Sequence, residues 1–355
     1  MTIQDHLNTA YARWMEGAGP YAHIVISSRI RLARNLAAYP FPHLQSPEQG
    51  REVFSRVRRA LSASEVRQQL GSFAFAALEA LSPLDRQILV EKHLISPHHA
   101  QDEGEGRGLV LRDDEAVSIM VNEEDHLRIQ VLFPALQLEA AWELASQVDD
   151  ALESRLDFAY DEQYGYLTCC PTNVGTGLRA SVMMHLPGLV MTNQANRVFT
   201  TLAKLGFVVR GLYGEGTEAK GNLFQISNQI TLGPREEEIN GNLTAVSKQV
   251  IEQEELARES LQKEKSAQLK DRILRSYGIL TNAYIISSEE AMDLLSNLRL
   301  GLDLGLLRNL DNRTLNELLV RTRPAFLQKM AGREMDAFNR DLMRAAIIRE
   351  ALART

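Results

Sequence analysis

The sequence predicts an α/β (α+β) chain that ends in an all-helical domain, and three observations predict it. Between Ile24 and Leu232, short apolar runs, several alternating with period two, are separated by stretches of helical periodicity. Amphipathic patterns such as Pro134 to Leu156 are long enough to be helices that cover a sheet. From Arg235 the composition turns charged and helix-favouring and stays so to Thr355. A length of 355 residues suits two domains. The boundary is placed near residue 260, giving segments 1–260 and 261–355.

Asp5 to Ala18 can form a short helix ended by Gly17 and Gly19-Pro20. Ile24 to Arg34 reads as a strand in which Arg29 and Arg31 share one face and Ile30 and Leu32 the other. That Arg face is either a solvated strand face or a clamp for an oxyanion. Pro47 to Leu70 is helical in pattern, and Ser82-Pro83 opens a helix running to about His93, with Ser as the cap. His98 and His99, in the polar loop Pro97 to Gly108, have no Cys or acid at ligand spacing and read as solvated. Gly108–Arg112, Ala116–Val121 and Ile129–Phe133 read as strands. The acidic bridge Asn122 to Arg128 can point one carboxylate into a cleft and use its neighbours for pairing. In the helix Pro134 to Leu156, Leu136, Ala140, Leu144, Val148 and Leu152 form an apolar stripe. A strand from Leu178 to Leu186, a helix from Thr192 to Leu205 and strands at Phe207 and Leu223–Leu232 complete this half. Breaks near Asn282, Gly301, Gly305 and Pro324 divide the tail into helices.

Apolar content of 45% and charged content of 24% are ordinary for a globular protein. No apolar run approaches the ~18 residues that span a membrane, and Met1 to Tyr11 lacks signal-peptide character, so the chain is expected to be cytoplasmic. Cys169 and Cys170 are adjacent and cannot form an ordinary disulfide with each other. A net charge of −7 disfavours a general nucleic-acid binder. Of the 39 cationic side chains 31 are Arg, so only an Arg in a Gly-rich or strand-edge context is given a function.

The stretch Cys169-Cys170-Pro171-Thr172-Asn173-Val174-Gly175-Thr176-Gly177-Leu178-Arg179 is a tight loop leading into an apolar strand, with Arg179 at the corner. An Arg held there can present paired donors to phosphate oxygens. Arg29, Arg31, Arg128, Arg179 and Arg210 all lie at strand ends or on one strand face, and Glu124 and Glu215 occupy comparable loops. Were these to converge, a polyanion clamp would face a pocket for a cation. That combination suits phosphoryl transfer from a nucleoside triphosphate.

Four motifs carry a resemblance. Ser27-Ser28-Arg29-Ile30-Arg31, Asn122-Glu123-Glu124-Asp125-His126-Leu127-Arg128, Cys170 to Ala180, and Arg210-Gly211-Leu212-Tyr213-Gly214-Glu215 with Glu218-Ala219 resemble those of the phosphagen (guanidino) kinases, in the same order. The resemblance implies an antiparallel sheet flanked by helices and transfer of the γ-phosphoryl of ATP, with Mg2+, to a guanidinium. It implies that Arg29, Arg31, Arg128, Arg179 and Arg210 hold the phosphates and that His93 lies beside the adenine. The Ser27–Arg31 strand, Ala180-Ser181-Val182-Met183 and Gly211 to Glu215 would complete the nucleotide site. Glu124 and Glu215 would grip the guanidinium, with Glu124 as base and Cys170 beside the nitrogens. No protein ligand to a metal is expected.

Only 26 residues precede Ser27, where small-molecule phosphagen kinases carry a whole helical domain, and Met183 stands where that family has a His, with His185 further on. An open acceptor side and a new helical tail are similar to the bacterial protein arginine kinases of this family. Arg340-Asp341-X-X-Arg344-Ala345 resembles their phosphoarginine-binding motif, in which Arg340 and Arg344 would pinch a phosphate and Asp341 receive the guanidinium. The resemblance implies protein substrates with exposed arginine, such as a heat-shock repressor or misfolded proteins, an activator protein and a downstream ATP-dependent protease. A kinase of free arginine and a catalytically silent adaptor are the alternatives. Tail stripes at Met292, Leu295, Leu298 and Leu302, and at Phe338, Leu342 and Ala345, predict a homodimer.

Overall fold

The computed structural model describes residues 1–101, 104–211 and 220–353. In chain order the elements are α1 (Ile3–Asn8), β1 (Val25–Arg34), α2 (Pro47–Leu61), α3 (Ser64–Leu70), β2 (Phe73–Ala77), α4 (Pro83–Glu91), α5 (Pro97–Gln101), β3 (Gly108–Arg112), β4 (Val117–Val121) and β5 (Leu127–Pro134). There follow α6 (Leu138–Glu153), a small hairpin β6–β7 (Tyr160–Asp161, Gly165–Tyr166), β8 (Leu178–His185), α7 (Pro187–Met191), α8 (Ala195–Lys204), β9 (Phe207–Gly211) and β10 (Leu223–Asn228). The rest is helical: α9 (Glu236–Glu264), α10 (Ser266–Asn282), α11 (Ser288–Asp303), α12 (Asn312–Arg321), α13 (Pro324–Ala331) and α14 (Ala337–Ala353).

Eight strands form one antiparallel sheet in the order β2-β3-β4-β5-β1-β8-β10-β9, which places β1 between β5 and β8. Alternation gives the sheet two chemically different faces. On one, Ile30, Leu32, Ile129, Val131, Ala180 and Val182 are sealed by α2, α6 and α9 through residues such as Val57, Val148 and Val250. Full burial of each of these Ile, Leu and Val side chains contributes roughly 1.5–3 kcal/mol. On the other face, Leu109, Leu111, Met120 and Leu132 pack with Trp14, Ile88 and Phe326. That second core leaves the middle of β1, β5 and β8 for polar side chains.

The sequence expectations hold for most elements and fail at definable points. Ser82 caps α4 as expected, accepting from the Asp85 N–H. The first segment is a shorter helix, Ile3–Asn8, followed by a single 3-10 turn at Arg13–Glu16, because buried Trp14 and Met15 draw the chain into the second core. Pro47 to Leu70 is two helices, broken at Ser62 and Ala63. In α6 the buried face is Leu138, Ala141, Ala145, Val148 and Leu152 rather than a strict every-fourth stripe. Spacing by four drifts around a helix of 3.6 residues per turn. His99 is fully buried with Nε2 3.1 Å from the Gly108 carbonyl, whereas His98 is exposed.

After α9 the helices close a core of their own around Leu280, Leu298, Leu318, Leu327 and Ile348. This part also docks on the sheet, since Leu319, Val320 and Phe326 join the second-face core. Met292, Leu295, Leu298 and Ala345 are buried within the chain, so the expected stripes are largely spent internally. Phe338 remains 59% exposed.

Candidate active site

Arg29 and Arg31 project from β1 on the second face, while Ile30 and Leu32 enter the first core. Arg31 stands in register with Arg179 of β8, and Ala33 with Arg128 of β5, so adjacent strands bring the guanidinium groups together. Arg210, on β9, is exposed and opposite Gln225 of β10, which is itself opposite Met183. Two polar positions of β10 steady the cluster. Arg29 donates from Nη2 to Gln225 Oε1 at 2.6 Å and from Nε to Ser181 Oγ at 3.3 Å, and Arg179 Nη2 donates to Ser227 Oγ at 3.4 Å.

The cluster carries more positive charge than its partners offset, since among the described residues Glu123 pairs with Arg128 alone of the five arginines. Burial, then Arg128 and Arg179, pull Arg29 down to about 9. Burial and the charges of Arg29, Arg128 and Arg179 hold Arg31 well below the usual Arg value, against the opposing charge of Glu123. Arg179 is lowered by burial, then by Arg210 and Arg128. The Nε atoms of Arg31 and Arg179 are buried without a hydrogen-bond partner. Guanidinium groups keep their protons, so a polyanion with several oxygens is what such a cluster fits.

Beside the arginines lies a cleft of about 230 Å³ lined by Arg31, Arg128, Arg179, Glu124, Asp125 and Cys170, among others. The acidic turn divides its labour. Asn122, in a left-handed conformation, donates to the Gly50 and Gly106 carbonyls at 2.9 and 2.6 Å. Glu123 is buried and paired with Arg128 at 2.6 Å and with Ser96. Burial raises its carboxyl, but Arg128 and the Ser96 hydrogen bond hold the net position below the usual Glu value. Asp125 is buried and accepts from Asn35 Nδ2 and the Cys169 N–H, both at 2.7 Å. Only Glu124 of the three is exposed, toward the cleft. Cys170 Sγ lies 3.0 Å from Thr172 Oγ1. Cys169, 3.3 Å from His43 Nδ1, is pushed up to about 11 by burial, then by Asp125 and Glu124, and stays a thiol.

A second, smaller hollow of about 20 Å³ is bounded by Ser27, Arg29, His93, Ser181, Met183 and Gln225. His93 is driven down to about 3 by burial, then by Arg29 and Arg323, and is therefore neutral. Its backbone is left-handed (φ 61°), its carbonyl accepts from Gln130 Nε2 at 2.8 Å, and its ring meets that of Trp14 edge-on with the centroids 5.4 Å apart.

Residues 52–257 match the model of the ATP:guanido phosphotransferase C-terminal catalytic domain, and residues 266–355 that of the protein-arginine kinase McsB C-terminal domain. A protein-arginine kinase of Moorella thermoacetica is 60% identical over 342 residues, covering 96% of this chain and 97% of the relative. The chain belongs to the protein-arginine kinase family. Another relative of that name, from Pelotomaculum thermopropionicum, is 54% identical over 353 residues, with 99% of each chain covered. The crystal structure of lombricine kinase shares the fold, with a TM-score of 0.58 at 24% identity over 69% of this chain and 71% of that one.

Within this kinase fold the predicted site residues separate by role. Arg29, Arg31, Arg128, Arg179 and Arg210 gather on one face, with Ser27, Ser181, Met183 and His93 at one end and Glu124 and Cys170 at the other. Ser28, Ile30, Ala180 and Val182 lie fully buried on the opposite side. Ser28 Oγ donates to the Ala135 carbonyl at 2.8 Å, so these motif residues fix the strands and leave the face to their neighbours. Gly211 ends β9, and Leu212, Tyr213, Gly214 and Glu215 lie outside the described residues. His185 lines neither the cleft nor the small hollow. It is buried with Nε2 2.8 Å from Ser296 Oγ, joining the end of β8 to α11.

Gln225 and Ser227 escaped the sequence reading, although polar residues alternating with Phe224 and Ile226 were the available signal. On α14, Arg344 and Asp341 pair with each other, and Arg344 also donates to the carbonyls of Thr322 at 2.8 Å and Ile286 at 2.9 Å. Arg340 donates to the Met335 carbonyl at 2.6 Å, and Ala345 is buried. Arg344 thus turns inward instead of sharing an open face with Arg340. Among the described residues no group of three or more His, Cys, Asp or Glu could hold a metal ion, and no helix is long and apolar enough to cross a membrane.

Proposed function

We propose that this kinase transfers the γ-phosphoryl of MgATP to arginine side chains of proteins, and the observation that carries the proposal is the cluster of arginines with buried, unpartnered Nε donors beside a cleft bearing Glu124 and Cys170. The family assignment and the names of the relatives support it. The arginines would hold the phosphates, His93 would stand beside the base, and Mg2+ would be carried by phosphate oxygens, as that ion commonly is. ATP supplies the phosphoryl group, and Mg2+ neutralises its oxygens. Because a guanidinium keeps its proton near neutral pH, Glu124 acts as a base only as the P–N bond forms and the bond from the γ-phosphorus to the β,γ-bridging oxygen breaks, the proton leaving the attacking nitrogen for the carboxylate and ADP leaving with the bridging oxygen. Glu215 would hold the other edge of the guanidinium.

The test is to supply MgATP with free arginine in one reaction and an unfolded protein in another, and to follow acid-labile phosphate on each. Labelling of the protein is expected. Labelling of free arginine alone would favour a small-guanidine kinase, and labelling of neither a silent adaptor. A heat-shock repressor or misfolded proteins as substrates, an activator protein and a downstream ATP-dependent protease belong to the same proposal, as does work in the cytoplasm.

We further infer that Arg340, Asp341, Arg344 and Ala345 form a phosphoarginine site. Binding would transfer Asp341 from Arg344 to the ligand guanidinium and turn Arg344 toward the phosphate. An effector acts only through different affinity for two states, so such binding alters activity only where the two arrangements of Arg344 differ at the active site. Substituting Ala for both Arg340 and Arg344 is expected to abolish phosphoarginine binding in calorimetry and leave a basal rate. Undiminished binding would remove the assignment.

A further inference from the structure

We propose that Glu91 is a positioning residue of the nucleotide pocket and the link through which the C-terminal helices act on that pocket. Glu91 ends α4 and is only 4% exposed. Its two carboxylate oxygens accept from the N–H groups of Ala325 at 2.9 Å and Phe326 at 3.0 Å, in the first turn of α13. This satisfies donors that a helix start otherwise leaves open, and places the negative charge where the helix dipole favours it. Two residues later comes His93, which lines the small hollow.

The residue between them removes the slack. Lys92 is fully buried, and its Nζ donates to Glu115 at 2.6 Å and to the His6 carbonyl at 2.8 Å. Its carbonyl accepts from Trp14 Nε1 at 3.1 Å, and Trp14 also lies against the His93 ring. Only one residue separates Glu91 from His93, and Trp14 touches both the Lys92 carbonyl and the His93 ring, so a displacement of the end of α4 reaches His93, whose left-handed backbone leaves little freedom to absorb it. Burial pushes the Glu91 carboxyl up to about 7, so its charge depends on the α13 N–H groups staying in place.

Just before α13, at the end of α12, the Thr322 carbonyl accepts from Arg344 Nε at 2.8 Å. A contiguous set of contacts therefore runs from Arg344 through the start of α13 to Glu91 and His93. Turning Arg344 toward a phosphate would release Thr322 and shift α13, and Glu91 would convey the shift. This second half rests on the proposed phosphoarginine site, and the first half on His93 facing the nucleotide.

Full-length Glu91→Gln decides between them, because the amide keeps the shape but turns an NH2 toward one backbone N–H. The KM for ATP is expected to rise about three- to tenfold, the scale of coupling through packed networks, with kcat and the KM for a protein acceptor nearly unchanged. Phosphoarginine is expected to bind this variant but no longer to change its KM for ATP. Lys329→Met breaks another tie between α4 and α13, a 2.9 Å ion pair with Asp85, and is expected to leave the KM for ATP where it was. An unchanged KM for ATP in Glu91→Gln, or an equal rise in Lys329→Met, overturns the role of Glu91. A parent chain that fails to bind phosphoarginine overturns the regulatory half, while the role of Glu91 is then decided by the KM for ATP.

Discussion

Two kinds of charged side chain are pressed together in the site, and substitution should separate them. Glu124→Gln keeps the shape of the acidic turn, which Glu123 and Asp125 hold through Arg128 and Asn35. Phosphoryl transfer should be lost while nucleotide binding, followed by calorimetry, persists; normal turnover would remove Glu124 from the chemistry. Arg179→Ala should instead weaken the hold on ATP and on its transition state, by several kcal/mol in order of magnitude for a preorganised charge clamp. A buried histidine gives a pH test. His126 accepts the Leu36 N–H on Nδ1 at 2.9 Å and lies against the Pro40 carbonyl through Nε2 at 3.0 Å; burial drives it down to about 4. A folded value below the unfolded ~6.5 means stability that is present above that pH and lost as pH falls toward 4. Between pH 7 and 5 this residue alone should remove about 2 kcal/mol. Urea unfolding of the parent and of His126→Asn at both pH values checks it, the variant showing the shallower decline.

The central loop shows how an element carries both fold and function. Gly177 has φ 62°, and a Cβ there would lie 2.6 Å from the Ala33 carbonyl of β1. Gly177→Ala should therefore cost about 1–3 kcal/mol and move Arg179, and thermal melting with a measured KM for ATP would detect both. Elements whose chemistry is local were legible in the sequence: Ser82 as a cap, the alternation that splits Arg29 and Arg31 from Ile30 and Leu32, and the acidic turn that exposes one carboxylate. Elements set by distant packing were not. The edge strand β2 went unforeseen, as its Phe-Ala-Phe-Ala-Ala run becomes a strand by pairing with β3. The 3-10 turn at Arg13–Glu16 exists because Trp14 and Met15 are wanted in the second core. Glu91 was invisible for the same reason, since the N–H groups it serves lie more than two hundred residues away.

At the scale of the whole molecule, the same distance in sequence limits what could be foreseen about assembly. The apolar tail residues taken as a sign of dimerisation are mostly buried within one chain, so the argument for a dimer must rest on what remains outside. Tyr284 is 76% exposed, Ile285 50% and Phe338 59%. They are tied to one neighbourhood: the Ile286 N–H donates to the Asp341 carbonyl at 3.3 Å, and Phe338 lies on α14 one turn before Asp341. Arg349 lies over the Tyr284 ring at 4.8 Å and holds the Ala283 carbonyl, while most of the Tyr284 surface stays exposed. Rigid, exposed aromatic residues cost little side-chain entropy when a partner covers them, which is why such residues anchor interfaces. We therefore expect a homodimer through this face, next to Arg340 and Asp341. Sedimentation at micromolar concentration should give a dimer for the parent and a monomer for Phe338→Asp, whose exposed side chain leaves the helical core intact. A parent chain that sediments as a monomer would remove the interface and with it any role for subunit contact in the response to phosphoarginine.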